Sequence, residues 1–121
     1  MLEFSSNLKM YLFKDKDRVS FSIKVSDNMV SEYYFTITEF EHLLENWNKP
    51  EGLDFKTSNN HHWSVGHKTR TPRPERAATS YVRLSVYVNG FGFHHRVDYT
   101  DMYNLQKDYF YQKNNVMYWD K

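Results

Sequence analysis

Residues 81–100 read YVRLSVYVNGFGFHHRVDYT, and the way this stretch pairs with itself decides the fold. Val82, Leu84, Val86 and Val88 alternate with polar or aromatic residues, the period of a strand with one buried face. Asn89-Gly90 accepts the positive φ of a tight turn, so residues 91–99 return as the antiparallel partner. That turn sets Val88 opposite Phe91, Val86 opposite Phe93 and Val82 opposite Val97 on the face expected to be buried. The other face then shows Tyr87 beside Gly92, Ser85 beside His94, Arg83 beside Arg96 and Tyr81 beside Asp98. Thr100 is placed to cap a helix burying Met102, Leu105 and Tyr109, and residues 116–119 are expected to close the chain as a strand.

The first half of the chain has the same rhythm. Val19, Phe21, Ile23 and Val25 alternate with Ser20, Ser22 and Lys24, and residues 29–37 return after a polar turn. Thr38 with Glu41 reads as a capping box for a helix whose stripe is Phe40, Leu43, Leu44 and Trp47. Leu8, Met10 and Leu12 mark a preceding strand, and residues 53–56 and 62–65 two short ones. Thr38, Phe40, Leu43 and Trp47 fall on Thr100, Met102, Leu105 and Tyr109 at one constant offset. The expected fold is α+β: two pseudo-repeated antiparallel hairpin–helix–strand units, over about residues 8–58 and 79–120 of a single domain 1–121. Their strands form curved antiparallel sheet, with the two helices packed on one side.

Between the units, residues 66–78 are expected to form an exposed loop, with Lys68, Arg70, Arg73 and Arg76 against Glu75. Folded over the outer face of the second hairpin, this loop completes a concave basic patch. Its candidate binding residues are Lys68, Arg70, Arg73, Arg76, Tyr81, Arg83, Tyr87 and Arg96. Arg83 and Arg96 repel directly across the strands, which a diagonal Asp98 or an anionic ligand would relieve. Guanidinium groups for phosphates and rings for bases suit single-stranded nucleic acid; Arg and Tyr also anchor protein interfaces. The outer face of the first hairpin, with Arg18, Ser20, Ser22, Lys24 and Tyr34, repeats the pattern more weakly.

The order sheet, helix, sheet, helix resembles the duplicated arrangement of the PUR, Whirly and PC4-like single-strand-binding domains. The resemblance is one of topology over most of the chain and rests on no residue motif. A final strand after the second helix departs from a strict four-strands-then-helix unit. It implies single-strand binding and assigns a role to no residue.

Composition narrows the classes. An aromatic content of 18% excludes a disordered chain, which cannot bury enough apolar surface to fold. Sixteen Lys and Arg against 15 Asp and Glu leave a net charge of +1, too small globally for a protein that holds nucleic acid by charge alone. The absence of Cys excludes disulfides and thiolate metal sites. No apolar run approaches membrane-spanning length, and the expectation is a cytoplasmic protein with no membrane partner. Adjacent histidines at His61-His62 and His94-His95 point to opposite faces of a strand, so no metal is expected, and no other cofactor. No nucleophile elbow, SxxK pair or glycine-rich phosphate loop is present, and the chain is not expected to be an enzyme.

The function expected from these features is non-catalytic binding. The first reading is an inhibitor, immunity or anti-defence protein that occludes a protein partner. The alternative is a single-stranded DNA or RNA binder using the Tyr81, Arg83, Tyr87 and Arg96 face, and it requires that the helices leave that face open. An apolar terminal strand at 116–119 would also permit a homodimer.

Overall fold

In the computed structural model of the chain, which describes residues 2–3, 8–13, 18–26, 28–70, 74 and 79–114, the alternating segments build two four-stranded antiparallel sheets. Strands β1 (Leu2–Glu3), β2 (Leu8–Phe13), β3 (Arg18–Ser26) and β4 (Met29–Thr36) form the first sheet in chain order, followed by helix α1 (Ile37–Asn46). Strands β5 (Leu53–Lys56), β6 (His62–Arg70), β7 (Thr79–Val88) and β8 (Phe91–Val97) form the second, followed by α2 (Tyr99–Lys113). The α+β class is as expected, and among the described residues the element order is four strands then a helix, twice.

The strands before β7 differ from expectation. Residues 53–56 were read with the first unit, but Leu53 pairs with Val65 and Phe55 with Trp63, which puts β5 in the second sheet. Residues 66–70 were read as loop, yet β6 continues through them, bonded to β7 as far as Arg70 opposite Thr79. The apolar signal stops at Val65 because the next inward position is His67, a polar residue whose ring packs on Tyr99. His67 Nδ1 lies 2.6 Å from the Tyr99 hydroxyl, with the two rings stacked at 18°. The expected loop residues 71–73 and 75–78, and the expected strand at 116–119, lie outside the described residues.

The two hairpins share a register. Val19, Phe21 and Ile23 face Phe35, Tyr33 and Ser31, as Val82, Leu84 and Val86 face Val97, His95 and Phe93. Asn89 (φ 51°) and Gly90 (φ 85°) make the second turn as their sequence requires. The burial does not follow all of the expected pairs. Val82, Val86 and Val97 are buried, whereas Phe91 is 71% and Phe93 47% exposed, because nothing among the described residues covers the start of β8.

Both helices start earlier than expected. The stretch Thr36-Ile37-Thr38-Glu39-Phe40-Glu41 holds two overlapping T-x-x-E frames, and the first is the one used. Thr36 Oγ1 accepts the Glu39 N–H at 3.1 Å while Glu39 Oε1 accepts the Thr36 N–H at 2.9 Å. This frame buries Ile37, and frees Glu41 to take Lys113 Nζ at 2.8 and 2.9 Å. The second carboxylate oxygen of Glu39 accepts the Ser58 N–H at 2.6 Å, tying the β5–β6 turn to the helix start. In α2, Thr100 sits inside the first turn, and the Asp98 carbonyl accepts the Met102 N–H at 3.1 Å.

One core joins the inner faces of both sheets to both helices. The Phe40 ring meets Phe21 at 5.7 Å, Phe35 at 5.4 Å and Tyr109 at 5.3 Å. Trp47 at the end of α1 meets Tyr103 near the start of α2 at 5.0 Å, while Lys113 near the end of α2 reaches Glu41, so the helices run antiparallel. Among the described residues, no helix is long and apolar enough to cross a membrane.

The cap assignment is testable. Thr36→Ala should lower the unfolding free energy by about 1 kcal/mol in urea titration. Thr38→Ala, at an exposed helical position, should stay within about 0.5 kcal/mol of the parent. Equal losses, or a larger loss at Thr38, would place the cap in the other frame.

Candidate functional site

The strand pleat turns alternate residues of the second sheet away from the core, and the register then fixes their neighbours. One row across this outer face holds Lys56, His62, Tyr87 and Gly92, and the next Asp54, Ser64, Ser85 and His94. A third holds Gly66, Arg83 and Arg96, and Lys68 faces Tyr81 beyond it. The helices contribute to the core on the inner side and leave this face open. Lys56, Lys68, Tyr87, His94 and Arg96 are exposed, and Tyr81 and Arg83 half-buried.

The face is ordered by its rings. Tyr87 stands between His62, at 5.8 Å between ring centroids, and His94, at 6.0 Å. Ser85, buried beneath them, holds His94 by a 2.7 Å contact between Oγ and Nδ1. Asp54 hydrogen-bonds His62 Nε2. A Cβ at Gly92 would lie 2.9 Å from the Tyr87 ring, so any other residue there would displace that ring. The Arg83–Arg96 repulsion has a different remedy from a diagonal Asp98, because β8 ends at Val97 and Asp98 leads into the helix. The Arg96 guanidinium instead lies over the Tyr81 ring at 4.6 Å. Two concavities flank the ring row. One of about 560 Å³ is lined by Lys56, His62 and Tyr87 among others, and one of about 230 Å³ by Tyr81, Arg83, His94, His95 and Arg96.

The candidate residues read from sequence are thus partly brought together. Lys68, Tyr81, Arg83, Tyr87 and Arg96 share the face, and Lys68 does so from a strand rather than a loop. Arg70 pairs with Thr79 through its backbone at the end of β6, and Arg73 and Arg76 lie outside the described residues. Lys56, His62 and His94 were missed as site residues. The signal was present in the continued alternation of Trp63, Val65 and His67 with Ser64, Gly66 and Lys68, which extends the strand and turns His62 outward.

The first sheet presents a less basic counterpart. Arg18 lies over the Tyr34 ring at 5.0 Å, the same register position as Tyr81 under Arg96 with the partners exchanged. Here an acid sits among them: Glu32 accepts from Ser20 at 2.7 Å and from Tyr34 at 2.8 Å. Those two hydrogen bonds, Ser20 first, hold its carboxyl below the ordinary range and keep it anionic.

The two sheets meet at a buried polar contact. Tyr33 and His95 occupy the same position in β4 and β8, and their hydroxyl and Nε2 lie 2.7 Å apart. Burial, and secondarily the neighbouring His94, lowers the His95 pKa below the ordinary imidazole value. Burial likewise raises that of Tyr33. Among the described residues, no three His, Cys, Asp or Glu are grouped to hold a metal ion. No family model matches the chain, and no curated protein or solved structure matches it.

The junction makes stability depend on pH with a definite sign. Above about pH 6.5 His95 is neutral both folded and unfolded and the dependence is flat. As pH falls through that value the unfolded chain takes up a proton the folded chain refuses, so stability is lost until pH passes the lower native pKa. Urea midpoints at pH 7.5 and 5.5 should therefore differ more for the parent than for His95→Gln. An equal difference in the two proteins would refute the assignment.

Proposed function

We propose that the protein binds single-stranded nucleic acid across the outer face of its second sheet. The supporting observation is segregation of charge. Lys56, Lys68, Arg83 and Arg96 share that face with Asp54 as its acid among the described residues, although the whole chain is nearly neutral. The balancing acids lie elsewhere: α1 carries Glu39, Glu41 and Glu45 and no Lys or Arg. A face of this kind holds phosphates locally without a large net charge.

The rings favour single strands over duplex. Tyr87, flanked by His62 and His94, offers aromatic surface between the two concavities, and an unpaired base can lie against it. A duplex keeps its base faces stacked and presents only backbone and edges. Tyr87 is exposed and Tyr81 half-buried on this face, which supports the alternative, while loop residues 71–73 and 75–78 lie outside the described residues.

The second reading, a non-catalytic inhibitor of a protein partner, is favoured by a separate feature. Val25, Met29 and Val30 are exposed at the tip of the β3–β4 hairpin, a small apolar patch of the kind that docks on proteins.

Fluorescence anisotropy of labelled single-stranded and duplex DNA and RNA tests the proposal. Micromolar or tighter binding to single strands at low salt is expected, weaker for duplex and falling with salt. Arg83→Ala/Arg96→Ala should weaken binding and reduce the slope of log K against log salt by about 1.4, about 0.7 per lost phosphate contact. No binding at low salt, or an unchanged slope in the arginine variant, would overturn it.

A further inference from the structure

Among the described residues strand β8 is the last strand of its sheet, with no strand paired to its outer edge, and its first four residues, Phe91 to His94, are exposed on both faces. Phe91 and Phe93 point to the side that is core elsewhere in the strand, yet are 71% and 47% exposed. Exposed phenylalanines on an open edge are a liability, because an unpaired apolar strand invites association with other chains. The usual guards are lacking: β8 holds no Pro, Asp, Glu or Lys between Phe91 and Val97. Its charged side chain is Arg96, on the basic face.

Cations stand beside this edge. The concavity of about 230 Å³ is lined by Tyr81, Arg83, His94, His95 and Arg96. Strand β8 carries both Arg96 and the exposed Phe91 and Phe93, so a ligand held at Arg96 on the basic face reaches those rings by crossing the edge of this strand. Flexible phosphodiester chain with separately rotating bases suits such a path, and the cations beside it supply the charge complementarity that an uncharged apolar partner would not use.

Resting on the function proposed above, we infer that a single strand wraps over the edge of β8, its phosphates held by Arg83 and Arg96 and its next bases stacked on Phe91 and Phe93. The phenylalanines are then a second binding element, separate from the Tyr87 row, and they act through ring surface rather than charge.

The two elements have different signatures in one experiment. Phe91→Ala/Phe93→Ala should bind labelled oligothymidylate at least about tenfold more weakly, with the salt slope unchanged, because stacking releases no counterions. Arg83→Ala/Arg96→Ala should lower the slope as well. Phe93→Trp should retain affinity, and its added fluorescence should be quenched on oligonucleotide addition relative to the parent. Full affinity in the phenylalanine variant with a weakened arginine variant would overturn this path and leave the basic face as the site. A parent protein that binds no oligonucleotide would remove both. Light scattering that shows a dimer in the parent and a monomer in the phenylalanine variant, with equal affinity per copy, would assign the patch to a second copy of the chain and overturn the inference.

Discussion

The arrangement of the molecule turns on the contact between Tyr33 and His95. Two antiparallel sheets, each apolar on one side, must cover those sides against each other and against the helices, and this hydrogen bond lies where β4 and β8 meet. Around it the rings lock together: Tyr33 meets Trp63 at 4.9 Å edge-on, and Phe35 meets Trp63 at 5.0 Å. A buried polar pair costs free energy unless both members are satisfied, and here each satisfies the other. The pair therefore specifies the docking of the sheets in a way that an apolar pair of similar size would not. With the inner faces committed to this junction and to the helices, the outer faces are left to solvent and to whatever the protein binds.

The two outer faces are built on the same register but differ in charge. At the same position in β4 and β8, Glu32 stands where the second sheet has His94. A cation–ring pair is present in both, with Arg18 over Tyr34 on one and Arg96 over Tyr81 on the other. On the first face the serine and tyrosine hydroxyls serve a carboxylate. On the second, Ser85 serves an imidazole, and the cations around it have few acids to answer. An anion is thus excluded less from the second face than from the first by the local field, which is why the proposed function is placed there.

Much of this was legible in the chain because the local signals were strong. The Asn89-Gly90 turn fixes one register, and that register fixes every neighbour on the β7–β8 hairpin, including Arg83 opposite Arg96. What escaped was decided by tertiary contacts. The strand β6 hides its length because His67, not an aliphatic residue, continues its inner row. The start of α1 is ambiguous because two capping frames overlap, and the choice is made at a distance, by Ser58 on one glutamate and Lys113 on another. The exposure of Phe91 and Phe93 is invisible to periodicity, which tells which side a residue faces and not whether that side is covered.

That last distinction bears on how the edge of β8 is to be understood. Stability alone would place polar residues at the uncovered end of the inner row, since exposed Phe gains nothing from burial there and adds a risk of association. The matching end of the first hairpin shows that the register tolerates a polar choice, because Ser31 occupies the position of Phe93. The phenylalanine is therefore not required by the fold that both hairpins share. It lies beside the one of the two faces that concentrates positive charge, on the strand that carries Arg96. Apolar rings and guanidinium groups on a single open edge have opposite demands on solvent, and a ligand that offers both charge and flat apolar surface satisfies them together.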